Sequence, residues 1–173
     1  MSRRRTSLIM AAVVASLLLG LGVATVSAES QRALATKVTM TGDQEVIGTG
    51  PAPTCFPPAV CGDLNAVGTA KIQVVPALDR VCFRLEWSDI DGTVWGAHIH
   101  GPADTGHAAA IRVEFLMLPS GDPTNHLAGT DSLAGCTIST VWADQIAADP
   151  ANFYVNVHST VFGPGAIRAQ LGD

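Results

Sequence analysis

From Thr36 to the C-terminus, apolar and polar residues alternate in short runs that glycine and proline interrupt. A period of two puts successive side chains on opposite faces of an extended chain, so the pattern commits most of this sequence to β-strands. Strands are predicted over Thr36–Thr41, Ala66–Val75, Arg80–Trp87, Thr93–His100, Ala109–Leu118, Leu127–Leu133, Asn152–Ser159 and Gly165–Leu171. Turn signals separate them at Gly42-Asp43, Asp91-Gly92, Gly101-Pro102, Ser120-Gly121-Asp122-Pro123 and Gly163-Pro164-Gly165. Only Ile138–Asp149, ISTVWADQIAAD, reads as a helix, with Ser139 or Thr140 as its cap and Pro150 as its stop. Many short strands with one short helix predict an all-β fold, an antiparallel sandwich or barrel.

The N-terminus has a different pattern. Arg3, Arg4 and Arg5 precede an apolar run from Leu8 to about Val23, and Val26-Ser27-Ala28 supplies small residues for signal-peptidase cleavage. Residues 1–28 are therefore expected to be a signal peptide, 29–35 a short leader and 36–173 the folded domain. No basic stop-transfer cluster follows the apolar run, which disfavours a retained membrane anchor. Cleavage leaves 145 residues, enough for one domain with its own core. It also leaves seven basic against fifteen acidic residues, a balance of −8. Such a chain is a poor partner for nucleic acid or an anionic membrane. The expected setting is secreted or cell-envelope associated, with no membrane span after cleavage.

Four cysteines, Cys55, Cys61, Cys82 and Cys136, follow the leader. An even count in an oxidising compartment suggests two disulfides, although four cysteines allow three pairings. A local Cys55–Cys61 bridge would pin the Pro-rich loop TCFPPAVC, which leaves Cys82 to pair with Cys136. The absence of CxxC spacing disfavours a zinc site.

Strand alternation also groups the histidines. In Thr93–His100, Trp95, Ala97 and Ile99 share the face expected to be inward, and Gly96, His98 and His100 share the other. In Asn152–Ser159, Tyr154, Asn156 and His158 fall opposite Phe153, Val155 and Val157; in the last strand Arg168 and Gln170 fall opposite Ile167, Ala169 and Leu171. If these strands adjoin, three neutral imidazoles converge. Such a set suits copper or zinc, with an open fourth position for water or another ligand. Arg168 beside it would suit a small anion. The competing reading is a polar sheet face whose histidines hydrogen-bond locally. His107, in the loop PADTGH, is a possible fourth ligand, and His126 reads as a solvated turn residue. Ser159 and Thr160 lack a nucleophile elbow, and Glu86, Asp89 and Asp91 lack an EF-hand register.

The pieces TGDQEV at 41–46, GTAKIQV at 68–74, AHIHGPADTG at 97–106, FYVNVHS at 153–159 and FGPGAIRAQLG at 162–172 resemble the CHRD domain family, named after chordin. They cover most of the chain after the leader, in order. The resemblance implies an exported or extracellular β-sandwich, and Cys82 and Cys136 resemble a pair common in bacterial members. The segment GTGPAPTCFPPAVCGD departs from the family's short link after QEV. A more distant likeness is to copper–zinc superoxide dismutases, which are Greek-key sandwiches: HIH at 98–100, VNVH at 155–158 and Arg168 stand in the order of that enzyme's copper-site residues. The bridging histidine and zinc-ligand loop have no counterpart.

The combined expectation is an antiparallel Greek-key β-sandwich of about eight strands with one short helix. Its expected role is that of a non-catalytic binding module. His98, His100 and His158 would coordinate a metal, copper favoured, with Tyr154, Asn156, Arg168 and Gln170 around them. Its partner would be an extracellular molecule or small ligand. The alternatives are a structural or adhesion module of the envelope and a copper-dependent dismutase-like enzyme.

Overall fold

The computed structural model describes residues 32–46, 62–117 and 129–173. The expected signal peptide, residues 29–31 of the leader, the Cys55–Cys61 pair and His126 lie outside the described residues, whereas residues 34 and 35 of the expected leader belong to the first strand. Among these residues eight strands form: β1 Leu34–Thr41, β2 Val67–Val75, β3 Arg80–Ser88, β4 Val94–His100, β5 Ile111–Met117, β6 Ser132–Ile138, β7 Tyr154–Ser159 and β8 Ile167–Gln170. Among the described residues one α-helix, α1, covers Trp142–Ala148 between β6 and β7, besides three single-turn 3-10 helices. Every strand pairing is antiparallel, in the order β5-β4-β7-β8-β1-β2-β3-β6. The sheet is continuous, but β1 meets β8 at a single pair, Thr41 with Arg168. At that weak seam the sheet folds over, giving two four-stranded halves packed face to face. The rings of Phe83 on β3 and Phe115 on β5 stack at 4.0 Å and close the opposite side. This is the all-β architecture that the alternation predicts.

The core lies between the halves. Val38 and Met40 of β1, Ala70, Ile72 and Val74 of β2, and Val81 and Leu85 of β3 meet Ala97, Ile99, Val155, Val157, Ile167 and Ala169. Burying each valine, isoleucine, leucine or methionine side chain among these contributes about 1.5–3 kcal/mol. The two halves differ on their outer faces. In β2 and β3, alternate residues reach solvent, whereas β7 and β8 are buried on both faces and β4 nearly so. The outer polar residues of β4, β7 and β8 therefore lie under loops, where their hydrogen bonds must come from protein.

Cys82 and Cys136 face each other across the β3–β6 ladder and form a disulfide. The structure departs from the sequence reading around this strand. β6 spans Ser132–Ile138 rather than Leu127–Leu133, and α1 begins at Trp142 rather than Ile138. The sequence SLAGCTI has no amphipathic alternation, so its strand state is set by its partner: β3 registers it from Arg80 opposite Ile138 to Glu86 opposite Ser132. Neither Ser139 nor Thr140 caps α1 through its side chain; Val141 is the capping residue.

Trp95 is a second correction. A register shift between Val94 and Gly96 in the β4–β7 ladder adds a residue there, so Val94 takes the core position expected for Trp95. A bulge re-aims side chains in this way. Trp95 instead lies half-buried against His158, with Nε1 donating to the Ser159 carbonyl at 3.0 Å.

Candidate metal centre

The β4–β7 register places Gly96 opposite His158, His98 opposite Asn156 and His100 opposite Tyr154. The β7–β8 register continues the rows, Asn156 to Arg168 and Tyr154 to Gln170. All seven polar residues grouped by the sequence reading thus share one face, and none is more than 8 % exposed.

The three imidazoles converge. Ring centroids are 4.9 Å apart for His98 and His158, 5.6 Å for His98 and His100, and 5.7 Å for His100 and His158. One nitrogen from each lies within 4.8 Å of the other two. Nitrogens bound to a single ion at about 2 Å stand about 3–4 Å apart, so a closure of about 1–2 Å would seat one.

Main-chain carbonyls orient two of the rings. Nδ1 of His100 meets the Ala109 carbonyl at 2.9 Å, and Nδ1 of His158 meets the Gly163 carbonyl at 3.0 Å. A carbonyl can only accept, so each Nδ1 carries the proton and each Nε2 holds a lone pair. Those Nε2 atoms are buried and have no hydrogen-bond partner; neither nitrogen of His98 makes a hydrogen bond of full geometry, although the Leu116 backbone stands close enough to favour its protonated form slightly. Burial pushes the His98 imidazole down to about 3, with His158 and His100 adding to the effect, and the His100 imidazole down to about 4. It lowers His158 as well, against the opposing Gly163 carbonyl. All three rings are neutral at pH 7, the state in which imidazole binds metals.

Tyr154, Arg168 and Gln170 hold the loop that covers this face. The His100 and Tyr154 rings stack at 4.9 Å, 3° from parallel, and the Arg168 guanidinium lies 3.4 Å from the Tyr154 ring centre. Arg168 donates to the carbonyls of His107 and Asp104 and to Gln170 Oε1. Gln170 donates to the carbonyls of Ala103 and Ala151. Arg168 is 2 % exposed with its terminal nitrogens committed to the loop, so it does not present the open anion site expected of it. His107 also departs from expectation. Its main chain is held by Arg168 while its ring turns outward to Asp104, 71 % exposed, and takes no part in the cluster.

Two contributors escape a residue-by-residue reading. Gly96 sits beneath the His98 ring. Glu45 is buried behind Asn156, which donates to its Oε2 at 3.2 Å. Burial drives the Glu45 carboxyl up to about 8, against the pull of Arg168 and Asn156. A glycine before HxH was a readable signal for the first. Nothing in TGDQEV marks the second, because its burial comes from distant segments.

A model of the CHRD domain matches residues 36–171. The chain belongs to the CHRD domain family. No curated protein and no solved structure gives a significant match. In this CHRD domain the segments that carry the family resemblance, AHIHGPADTG and YVNVHS, are the ones that supply the buried imidazoles and the loop above them.

Proposed function

We propose that this CHRD domain is an exported, non-catalytic binding module in which His98, His100 and His158 hold one metal ion, copper favoured over zinc. The carrying observation is the set of unpartnered, buried imidazole nitrogens at the meeting point of three rings. Leaving a buried polar atom unpaired costs about 1–3 kcal/mol. A purely structural patch of histidines would satisfy those atoms within the protein. A metal ion satisfies one of them on each ring together, and the carbonyls on His100 and His158 are the outer partners that metal-bound imidazoles commonly have. The donor set is three neutral nitrogens with no carboxylate or thiolate, which suits copper and zinc, and nitrogen sites generally bind copper more tightly. When bound, copper would supply a redox-active centre. The chain's part is to present three oriented lone pairs and to cover them with the loop that Arg168 and Gln170 hold.

Export is supported by the N-terminal sequence and by the Cys82–Cys136 disulfide, a bond that persists in oxidising compartments. No helix among the described residues is long and apolar enough to cross a membrane. A dismutase-like reaction is disfavoured because Arg168 is turned to the loop carbonyls.

Calorimetric titration of the purified protein with Cu(II) and Zn(II) tests the proposal. One equivalent should bind, copper more tightly, and His98→Ala and His158→Ala should each weaken binding at least 100-fold. Indistinguishable titrations of all three proteins would overturn it.

A further inference from the structure

The opposite half of the molecule carries a charge pattern that the metal site does not use. Lys37 of β1 is registered directly against Lys71 of β2, and Lys71 directly against Arg84 of β3. These are the chain's only two lysines and one of its eight arginines, all on the exposed face of the sheet. Like charges placed opposite each other across strands destabilise a sheet. Arg80 lies on the same face of β3, and Glu86 is the one acidic residue on the outer face of β1, β2, β3 and β6. Arg84 bonds Glu86 at 2.7 Å, and both side chains are about half exposed or more. Arg84, then Lys71 and Lys37, hold the Glu86 carboxyl below its ordinary value, so the row acts as one positive field. A chain with a formal charge of −5 thus gathers its lysines into a single stripe.

The stripe borders a shallow groove of about 620 Å³ whose lining includes Ala35, Gln73 and Cys82 as well as the three cations. Thr39 and Thr69 form the next row on the other side, directly paired. We propose that this face binds an acidic polysaccharide, a carboxylate-bearing, hydroxyl-rich chain lying along the Lys37–Lys71–Arg84 row. Charge complementarity selects an anion, and the width of the stripe selects a thin one. An anionic bilayer would bring the acidic remainder of the molecule within the roughly 8–10 Å over which charges act in physiological salt, whereas a single glycan chain meets only the row. Single-stranded nucleic acid wants exposed aromatic platforms for its bases, and the one aromatic lining the groove, Phe83, is turned inward and stacked on Phe115. Thr39, Thr69 and Gln73 offer hydroxyl and amide groups suited to sugar hydroxyls. β2 and β3, which carry Lys71 and Arg84, are each paired on both sides, so a peptide cannot add to them as a further strand.

The test is retention of the purified protein on immobilised polygalacturonate, with dextran, anionic phospholipid vesicles and single-stranded DNA as comparison ligands. Wild type should bind polygalacturonate, ignore dextran, and lose at least tenfold in affinity between 50 and 200 mM salt. Lys71→Gln with Arg84→Gln should weaken binding at least tenfold, and Lys37→Gln alone should weaken it measurably. Both variants should melt no lower than wild type, since each relieves repulsion, and His98→Ala should bind polygalacturonate as wild type does. The proposal is overturned by absence of binding, by unchanged affinity in the variants, by equal retention on dextran, or by tighter binding to the vesicles or DNA.

Discussion

Gly96 of β4 lies opposite His158 of β7, and the ring of His98 occupies the space over it: a Cβ at residue 96 would stand 3.0 Å from Cε1 of His98 and 3.6 Å from Cδ2 of His158. The missing side chain is what lets two imidazoles from neighbouring strands come within 4.9 Å of each other. Gly96→Ala should therefore displace the His98 ring while leaving the sheet intact. Copper affinity should fall about 10–100-fold, the usual effect of disturbing the groups that orient ligands. Titration and thermal unfolding of the variant check this. Wild-type affinity in Gly96→Ala would show that the ring does not depend on the gap.

Protonation of the same rings governs the metal-free protein. The folded-state values for His98, His100 and His158 lie below the ordinary 6.5, at about 3 and about 4 for the first two. Between those values and 6.5 the unfolded chain binds more protons. Stability is therefore complete above about pH 6.5 and falls as pH drops toward 4, by up to about 1.4 kcal/mol per pH unit for each ring. Urea unfolding of metal-free wild type and His98→Gln at pH 7, 6, 5 and 4 reads the difference. The variant should show a shallower loss, and parallel curves would contradict the assignment.

Glu45 has the opposite sign. Burial raises its carboxyl to about 8, so folding favours the protonated form, and the stability it allows is present below about 4.5 and lost as pH rises toward 8. Glu45→Gln keeps the shape without the ionisation, and its added amide hydrogens stand near the unpartnered Asn156 Oδ1. Its stabilisation relative to wild type should grow by up to about 1.4 kcal/mol per pH unit from 4.5 to 8 and be small at pH 4.5. Thermal melts at the two ends decide it; an equal difference at both would be inconsistent with a buried acid.

The contrast between these residues shows what a sequence can carry. Alternation placed His98, His100, Asn156 and His158 on one face because pleating is local, and it gave the strands because turns and periodicity are local too. Trp95 departs from the alternation because one bulge residue reverses the faces without a sequence mark. β6 lies outside the stretch that alternation marks because SLAGCTI takes its strand state from β3 and Cys82. Arg168 was expected to face an anion and instead binds loop carbonyls, which are backbone atoms that no side-chain pattern reports. The carbonyls of Ala109 and Gly163, which leave Nε2 free on His100 and His158, were hidden for the same reason.

The disulfide closes the edge of the sheet. Among the described residues β6 is hydrogen-bonded only to β3, and Cys82–Cys136 spans a sequence separation of 54. A closed loop of that length stabilises by about 4 kcal/mol in the chain-entropy model. Replacing both cysteines with alanine should lower stability by about 2–4 kcal/mol in chemical denaturation and leave copper binding unchanged, since the bond lies in the half of the sheet away from the histidines. A parallel loss of copper binding would show that the two halves are energetically coupled.

The central claim is that one ion takes a nitrogen from each of His98, His100 and His158. X-ray absorption at the copper edge of the loaded protein counts those nitrogens directly. The expected spectrum shows three imidazoles at about 2 Å in wild type and two in His158→Gln. A wild-type spectrum with fewer than three imidazoles, or one that His158→Gln leaves unaltered, would contradict the account.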